Sequence, residues 1–327
     1  MVIALSNEIR NRILFPSRCS ARRTNRRRWS HRGMPMRTLY HFTRFVAVVC
    51  MLASTVAAQQ SVSMPPAQTA EVFGQKIHYY ESGQGPVVIL LHGTGSSSET
   101  WAANIGPLSK EFHVYALDQI GFGHSDKPLM DYKIATYVDF LQEFMRVLAV
   151  PRATVVGHST GGWIAASFAI DHPEMIEKLV LVDATGLPPT HSPSAAEPEP
   201  VDFSYASLAA TRAHLERLFY DKQRVTDDLV RRVFEGHLRT GDGYTIQRML
   251  SNRAAEYLGD NLKSIHAPTL IIWGREDSIV PLSNAERFHA TIAGSQIVII
   301  DESSHVTQIE KPSEFNKAVL DFLAKNR

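Results

Sequence analysis

Cysteine is scarce in this chain: its two, Cys19 and Cys50, both fall within the first 58 residues. Everything after them therefore lacks a disulfide framework, a thiolate nucleophile and a cysteine metal site. Lysine is absent from the same 58 residues, which carry 11 Arg and one acid, Glu8. The remainder holds 23 basic and 32 acidic side chains, a net −9, which argues against nucleic acid as a partner of the folded part. Long apolar runs are missing as well. The stretch 45–53 is too short for a comfortable membrane span, so no stable span is expected in the mature form. No carboxylate–histidine spacing suggests a metal, and Gly121-Phe122-Gly123 lacks the phosphate-loop frame. Neither a metal nor a cofactor is expected.

What is present at the start reads as an address. From Met36, Arg37 and Arg44 form a positive region, 45–53 an apolar one, and Val56-Ala57-Ala58 supplies small residues for cleavage before Gln59. A leader over 1–58, with a cleaved signal peptide at 36–58, implies an exported protein, periplasmic or secreted. An organellar transit segment and an uncleaved membrane tether are the alternatives. Met34 and Met36 are both candidate starts.

A linker over 59–69 leads into a domain over 70–327. There, continuous Val/Ile/Leu runs alternate with helix-like stretches, the pattern of a parallel sheet covered on both faces. The expected class is α/β, a mostly parallel, doubly wound, eight-stranded sheet. A hairpin is expected at 70–73 and 76–81, then strands at 87–91, 113–117, 153–157, 179–183, 269–273 and 296–300. Helices are expected near 98–108, 132–149, 160–172, 282–293 and 313–325. One interval, 187–262, breaks the alternation. A Pro/Ser/Ala/Glu loop at 188–202 precedes amphipathic helices near 205–220, 226–239 and 245–258, the form of an all-helical lid. Leu215, Leu218, Phe219, Leu229, Val233 and Phe234 form its apolar stripes, better suited to packing than to substrate contact.

The chemistry centres on Gly157-His158-Ser159-Thr160-Gly161, which follows an apolar strand and opens a helix. Such a turn strains the serine backbone and leaves no room for side chains two residues to either side. A serine hydroxyl needs a base, and the base an orienting acid. His305 and Asp277 each lie just past a strand end, where open α/β sheets bind ligands. Asp183 and Glu276 are the competing acids, Asp183 ranking second overall. For the oxyanion, the backbone N–H groups of Thr160 and of Thr94, in His92-Gly93-Thr94-Gly95, are the expected donors. His92 reads as a turn residue, and His124 and His158 have no ligand-like partners nearby in sequence.

These motifs, with Asp118-Gln119-Ile120-Gly121-Phe122-Gly123-His124-Ser125, resemble those of α/β-hydrolase-fold proteins over residues ~70–325. The resemblance implies a Ser159–His305–Asp277 triad acting on an ester-like bond of a small apolar or amphipathic carbonyl substrate. A serine nucleophile disfavours the dehalogenases and epoxide hydrolases of the fold, which use aspartate there. Leu218-Phe219-Tyr220-Asp221 and Val225-Thr226-Asp227-Asp228-Leu229-Val230 resemble hydrolases of aromatic ring-fission products, which cleave carbon–carbon bonds of vinylogous diketones. The chain departs from that group at His158, where asparagine is common, and at Val306, where tryptophan is common. Arg231, Arg232 and Arg248 are the candidates to meet a substrate carboxylate, although a solvated helix face is the plainer reading. A non-catalytic small-ligand-binding protein of the same fold is the third alternative.

Overall fold

The computed structural model describes residues 64–189 and 207–325. The leader with both cysteines, the start of the linker and most of the 188–202 loop lie outside these residues. The strands are β1 (Ala67–Val72), β2 (Gln75–Ser82), β3 (Val87–Leu91), β4 (His113–Leu117), β5 (Ala153–His158), β6 (Ile176–Val182), β7 (Thr269–Gly274) and β8 (Gln296–Ile300). Helices α1 (Ala102–Leu108), α2 (Ile134–Val147) and α3 (Thr160–Asp171) connect the strands up to β6. Helices α4 (Leu208–Leu218), α5 (Asp227–Thr240) and α6 (Gly243–Asn252) fill the interval between β6 and β7. Then α7 (Ser283–Thr291) joins β7 to β8, and α8 (Thr307–Glu310) and α9 (Pro312–Ala324) close the chain.

All eight strands form one sheet, ordered β1-β2-β4-β3-β5-β6-β7-β8. Only the β1–β2 and β2–β4 pairs are antiparallel. Every other pair is parallel, as buried apolar strands joined by helices require. The strand period of two divides the core between the sheet's faces. Ile89, Leu91, Val155, Leu179, Leu181 and Ile271 pack with Tyr137, Leu141 and Phe144 of α2, Phe168 of α3 and Phe288 of α7. Their neighbours Val88, Leu90, Val156, Val180, Leu270 and Ile272 pack with Leu108 of α1 and Phe315, Val319 and Phe322 of α9. Each such side chain contributes roughly 1.5–3 kcal/mol on full burial.

Three departures from the sequence expectation have local causes. The expected helix at 98–108 begins as a tight 3₁₀ turn, Ser98–Trp101, because Asp118 Oδ1 holds both the Ser98 N–H (2.7 Å) and its hydroxyl (2.5 Å). The third helix of the interval stops at Asn252, short of 258. Leu258 N–H is instead taken by Gly186 O at 2.9 Å, and Gly259 turns the chain with φ 50°. Helix α8 is too short to leave a periodic trace in sequence. Among the described residues of 187–262 there is no strand.

Phe315 is fully buried against the Trp101 ring, with centroids 6.0 Å apart. Phe315→Ala is expected to cost about 3–5 kcal/mol of stability, read from urea unfolding midpoints at unchanged slope.

Candidate active site

Ser159 sits between β5 and α3 with φ 53° and ψ −119°, a conformation that costs a non-glycine residue roughly 1–3 kcal/mol. The surroundings enforce it. A Cβ at Gly157 would lie 2.2 Å from Gly161 O, and one at Gly161 would lie 2.4 Å from Leu91 O. The elbow is thus pressed against the end of β3. It is also tied to β6, since Ser159 N–H donates to Val182 O (2.9 Å) and Thr185 N–H to Ser159 O (3.1 Å).

The histidine and acid predicted from sequence meet at this serine. His305 Nε2 lies 3.0 Å from Ser159 Oγ, and His305 Nδ1 lies 2.8 Å from Asp277 Oδ2. The remaining Asp277 oxygen accepts the N–H groups of Ile279 (2.8 Å) and Val280 (2.9 Å), which aims the carboxylate at the imidazole. Burial alone would hold the His305 imidazole neutral. The charge and hydrogen bond of Asp277, helped by the charge of Asp183, outweigh it and raise the pKa above the ordinary value.

The competing acids serve elsewhere. Glu276 Oε2 accepts Ser303 N–H at 3.1 Å. Asp183 Oδ1 accepts Gly274 N–H at 2.8 Å, bracing the strand end from which the Asp277 loop departs. Burial, and then the nearby Asp277 charge, push the Asp183 carboxyl up to about 7. In sequence this residue is a rival acid; its burial beside the pair emerges from the strand order β6–β7–β8.

Gly93 brings the loop after β3 onto the serine: a Cβ there would lie 2.9 Å from Ser159 Cβ. Thr94 Oγ1 meets Thr160 Oγ1 at 2.7 Å, so the two threonines face each other beside Ser159. Thr160, as first residue of α3, keeps its N–H outside the intrahelical ladder. His92 is fully buried and fixes this loop from behind. Its Nδ1–H donates to Gly93 O (2.8 Å), its Nε2 accepts Gln119 N–H (3.0 Å), and its carbonyl accepts the Gln119 side chain (2.7 Å). Burial lowers the His92 pKa and keeps the ring neutral.

His158, without ligand-like partners nearby in sequence, has one in space. Its Nε2–H donates to His305 O at 2.6 Å. Burial and then the His305 charge lower its pKa to about 3, so it stays neutral. Its Nδ1 is buried without a hydrogen-bond partner, and a Cβ added at Gly93 would lie 3.2 Å from it.

The helical insertion is fastened to the same centre. The last carbonyls of α4 accept from the triad loops: Leu218 O from His305 N–H (3.1 Å), Arg217 O from Ser278 Oγ (2.8 Å). A helix C-terminus favours positive charge, so α4 lies where an imidazolium would form. Glu310 of α8 clamps the junction, accepting Tyr220 N–H (2.9 Å), Asp221 N–H (3.1 Å) and Ser304 N–H (2.8 Å). Val306 packs with Leu215, Phe219, Val225 and Val230, so the apolar stripes are packing surfaces. Met249 of α6 reaches the Thr94 hydroxyl at 3.3 Å. The three candidate arginines are engaged or exposed. Arg231 stands in solvent, Arg232 pairs with Asp228, and Arg248 pairs with Asp131.

An elbow serine, a base–acid pair on the next strand ends and a glycine loop beneath them define a hydrolase of the α/β-hydrolase fold. The alpha/beta hydrolase fold family model matches residues 86–312, and the chain belongs to that family. A 2-hydroxy-6-oxo-6-phenylhexa-2,4-dienoate hydrolase of Comamonas testosteroni is 31% identical over 76% of this chain and 91% of the relative. Among solved structures, a meta-cleavage product hydrolase from Pseudomonas fluorescens IP01 is 31% identical with a TM-score of 0.73, covering 78% of this chain and 97% of that one. A bacterial membrane phospholipase A is 25% identical with a TM-score of 0.70, over 88% of this chain and 97% of its own.

Glu310→Ala leaves three N–H donors without their acceptor and is expected to cost about 3 kcal/mol in chemical denaturation, with a fall in turnover. Asp183→Asn removes a charge that raises the His305 pKa. The His305 imidazole titration, followed by NMR, is therefore expected to move to lower pH.

Proposed function

We propose that the protein is a serine hydrolase that cleaves an ester-like bond of a small apolar or amphipathic substrate through an acyl-enzyme. The carrying observation is the continuous relay from Ser159 Oγ through His305 to Asp277. In this reading His305 Nε2 takes the hydroxyl proton as Oγ attacks the carbonyl carbon. Asp277 holds Nδ1–H and stabilises the imidazolium that forms. The oxyanion is received by the N–H groups of Thr94 and Thr160, and the imidazolium then protonates the leaving alcohol. Water, deprotonated by His305, attacks the acyl-enzyme and releases the acid. The helical insertion acts as the lid, its Met249 beside the oxyanion loop supplying an apolar wall.

A second reading, hydrolysis of a carbon–carbon bond in a ring-fission product, is favoured by the 31% identity to hydrolases of that kind. Against it, a dienoate carries a carboxylate, and the three arginines proposed to meet one are paired or solvated. Ester cleavage needs no such cation and is therefore preferred.

The test is turnover of nitrophenyl esters of graded chain length beside a ring-fission dienone, with Ser159→Ala as control. Ester hydrolysis is expected, falling by at least about 10⁴-fold in the alanine variant. A folded, fully active Ser159→Ala protein would falsify the mechanism. Dienone cleavage without ester turnover transfers the assignment to the second reading, and binding without turnover to a non-catalytic protein of this fold.

A further inference from the structure

Away from Ser159, three ligating side chains that are scattered in sequence converge at one end of the β2–β4 pair. His78 lies on β2, Asp118 directly follows β4, and His124 stands on the loop that Asp118 begins. Asp118 Oδ2 is 3.0 Å from His78 Nδ1 and 3.5 Å from His124 Nδ1, and the three atoms lie within 4.8 Å of one another. Donors held at 2.0–2.2 Å from a zinc-type ion stand roughly 3.3–3.6 Å apart in a tetrahedral shell, so small side-chain adjustments would bring these three atoms onto one ion.

We propose that His78, Asp118 and His124 form a binding site for a divalent transition-metal ion of the zinc class.

Two further observations bear on this. His78 Nδ1 is buried and lies 3.0 Å from Asp118 Oδ2, so the ring nitrogen and the carboxylate oxygen already converge on one point. The carboxylate, in turn, is already oriented as a ligand. Its Oδ1 is held by the Ser98 N–H and hydroxyl, and Oδ2 accepts one N–H, that of His124 at 2.8 Å, leaving lone-pair capacity facing the imidazoles. The His124 side chain is 65% exposed and that of His78 13%, so an ion has access from solvent and water completes its shell. Two imidazoles with one carboxylate suit Zn²⁺, Co²⁺, Ni²⁺ or Cu²⁺ rather than the oxygen-seeking Mg²⁺ or Ca²⁺. Sequence spacing hides the site, because His78 reaches the other two only through the antiparallel β2–β4 pair.

The experiment uses the whole chain after chelator treatment and dialysis. Zn²⁺ is titrated calorimetrically and Co²⁺ by its visible ligand-field bands, beside His124→Ala, His78→Gln and a Mg²⁺ control. One Zn²⁺ per chain is expected, with a rise in Tm, and at least an about tenfold loss of affinity in His124→Ala. His124 is exposed, so that variant keeps the fold even where His78→Gln does not. No uptake by the wild type, or uptake unchanged in His124→Ala, overturns the proposal and leaves a structural hydrogen-bond cluster. Equal response to Mg²⁺ overturns the metal class.

Discussion

The site depends on the contact between the elbow and the end of β3. Gly161 approaches Leu91 O so closely that no side chain fits, and Gly157 approaches Gly161 O in the same way. That contact fixes the turn angle, which forces the positive φ at Ser159 and lifts its hydroxyl out of the sheet. It also settles what can lie beside the serine. The loop that continues β3 is brought against it, and Gly93 alone is small enough to occupy that point. A strained serine conformation is affordable here because the flanking strands are buried on both faces and cannot relax toward it.

Around this point the charges are arranged unequally. Two carboxyls, Asp277 and Asp183, are buried near one imidazole. Asp277 has two backbone N–H donors and the His305 ring as partners, whereas Asp183 has the Gly274 N–H as its one backbone donor. Burial, and then the Asp277 charge, drive the Asp183 carboxyl upward. The geometry thereby divides the labour: one carboxylate orients the base, while the other holds two strand ends together and adjusts the base from a distance.

Much of this was legible in the sequence because it rests on local rules. The β3, β4 and β8 boundaries coincide with their apolar runs, and the elbow is a contiguous motif whose glycines announce the collision they avoid. Ser159, Asp277 and His305 stand out in sequence because each lies at or just past the end of a readable strand, and the fold brings the three together. What stayed hidden depends on strand order. The bracing by Asp183, the Glu310 clamp and the meeting of His78 with Asp118 all join residues from different strands or helices. The early end of α6 was hidden for the same reason: its cause is the Gly186 carbonyl, some seventy residues earlier in the chain.

The helical insertion is the least constrained part in sequence and the most tightly joined to the chemistry in space. A lid could have rested on the sheet by apolar contact alone. Instead, carbonyls of α4 take the His305 N–H and the Ser278 hydroxyl, and Val306, the residue next to the base, enters the insertion's own apolar cluster. Movement of α4 would therefore disturb the loop holding His305 before it exposed the serine. Helix α6 is held differently: Ile246 and Met249 join the main core, Arg248 pairs with Asp131, and Met249 reaches the Thr94 hydroxyl. The insertion is therefore anchored at both ends, by α4 and Val306 to the loop that carries His305 and by α6 to the core beside Thr94.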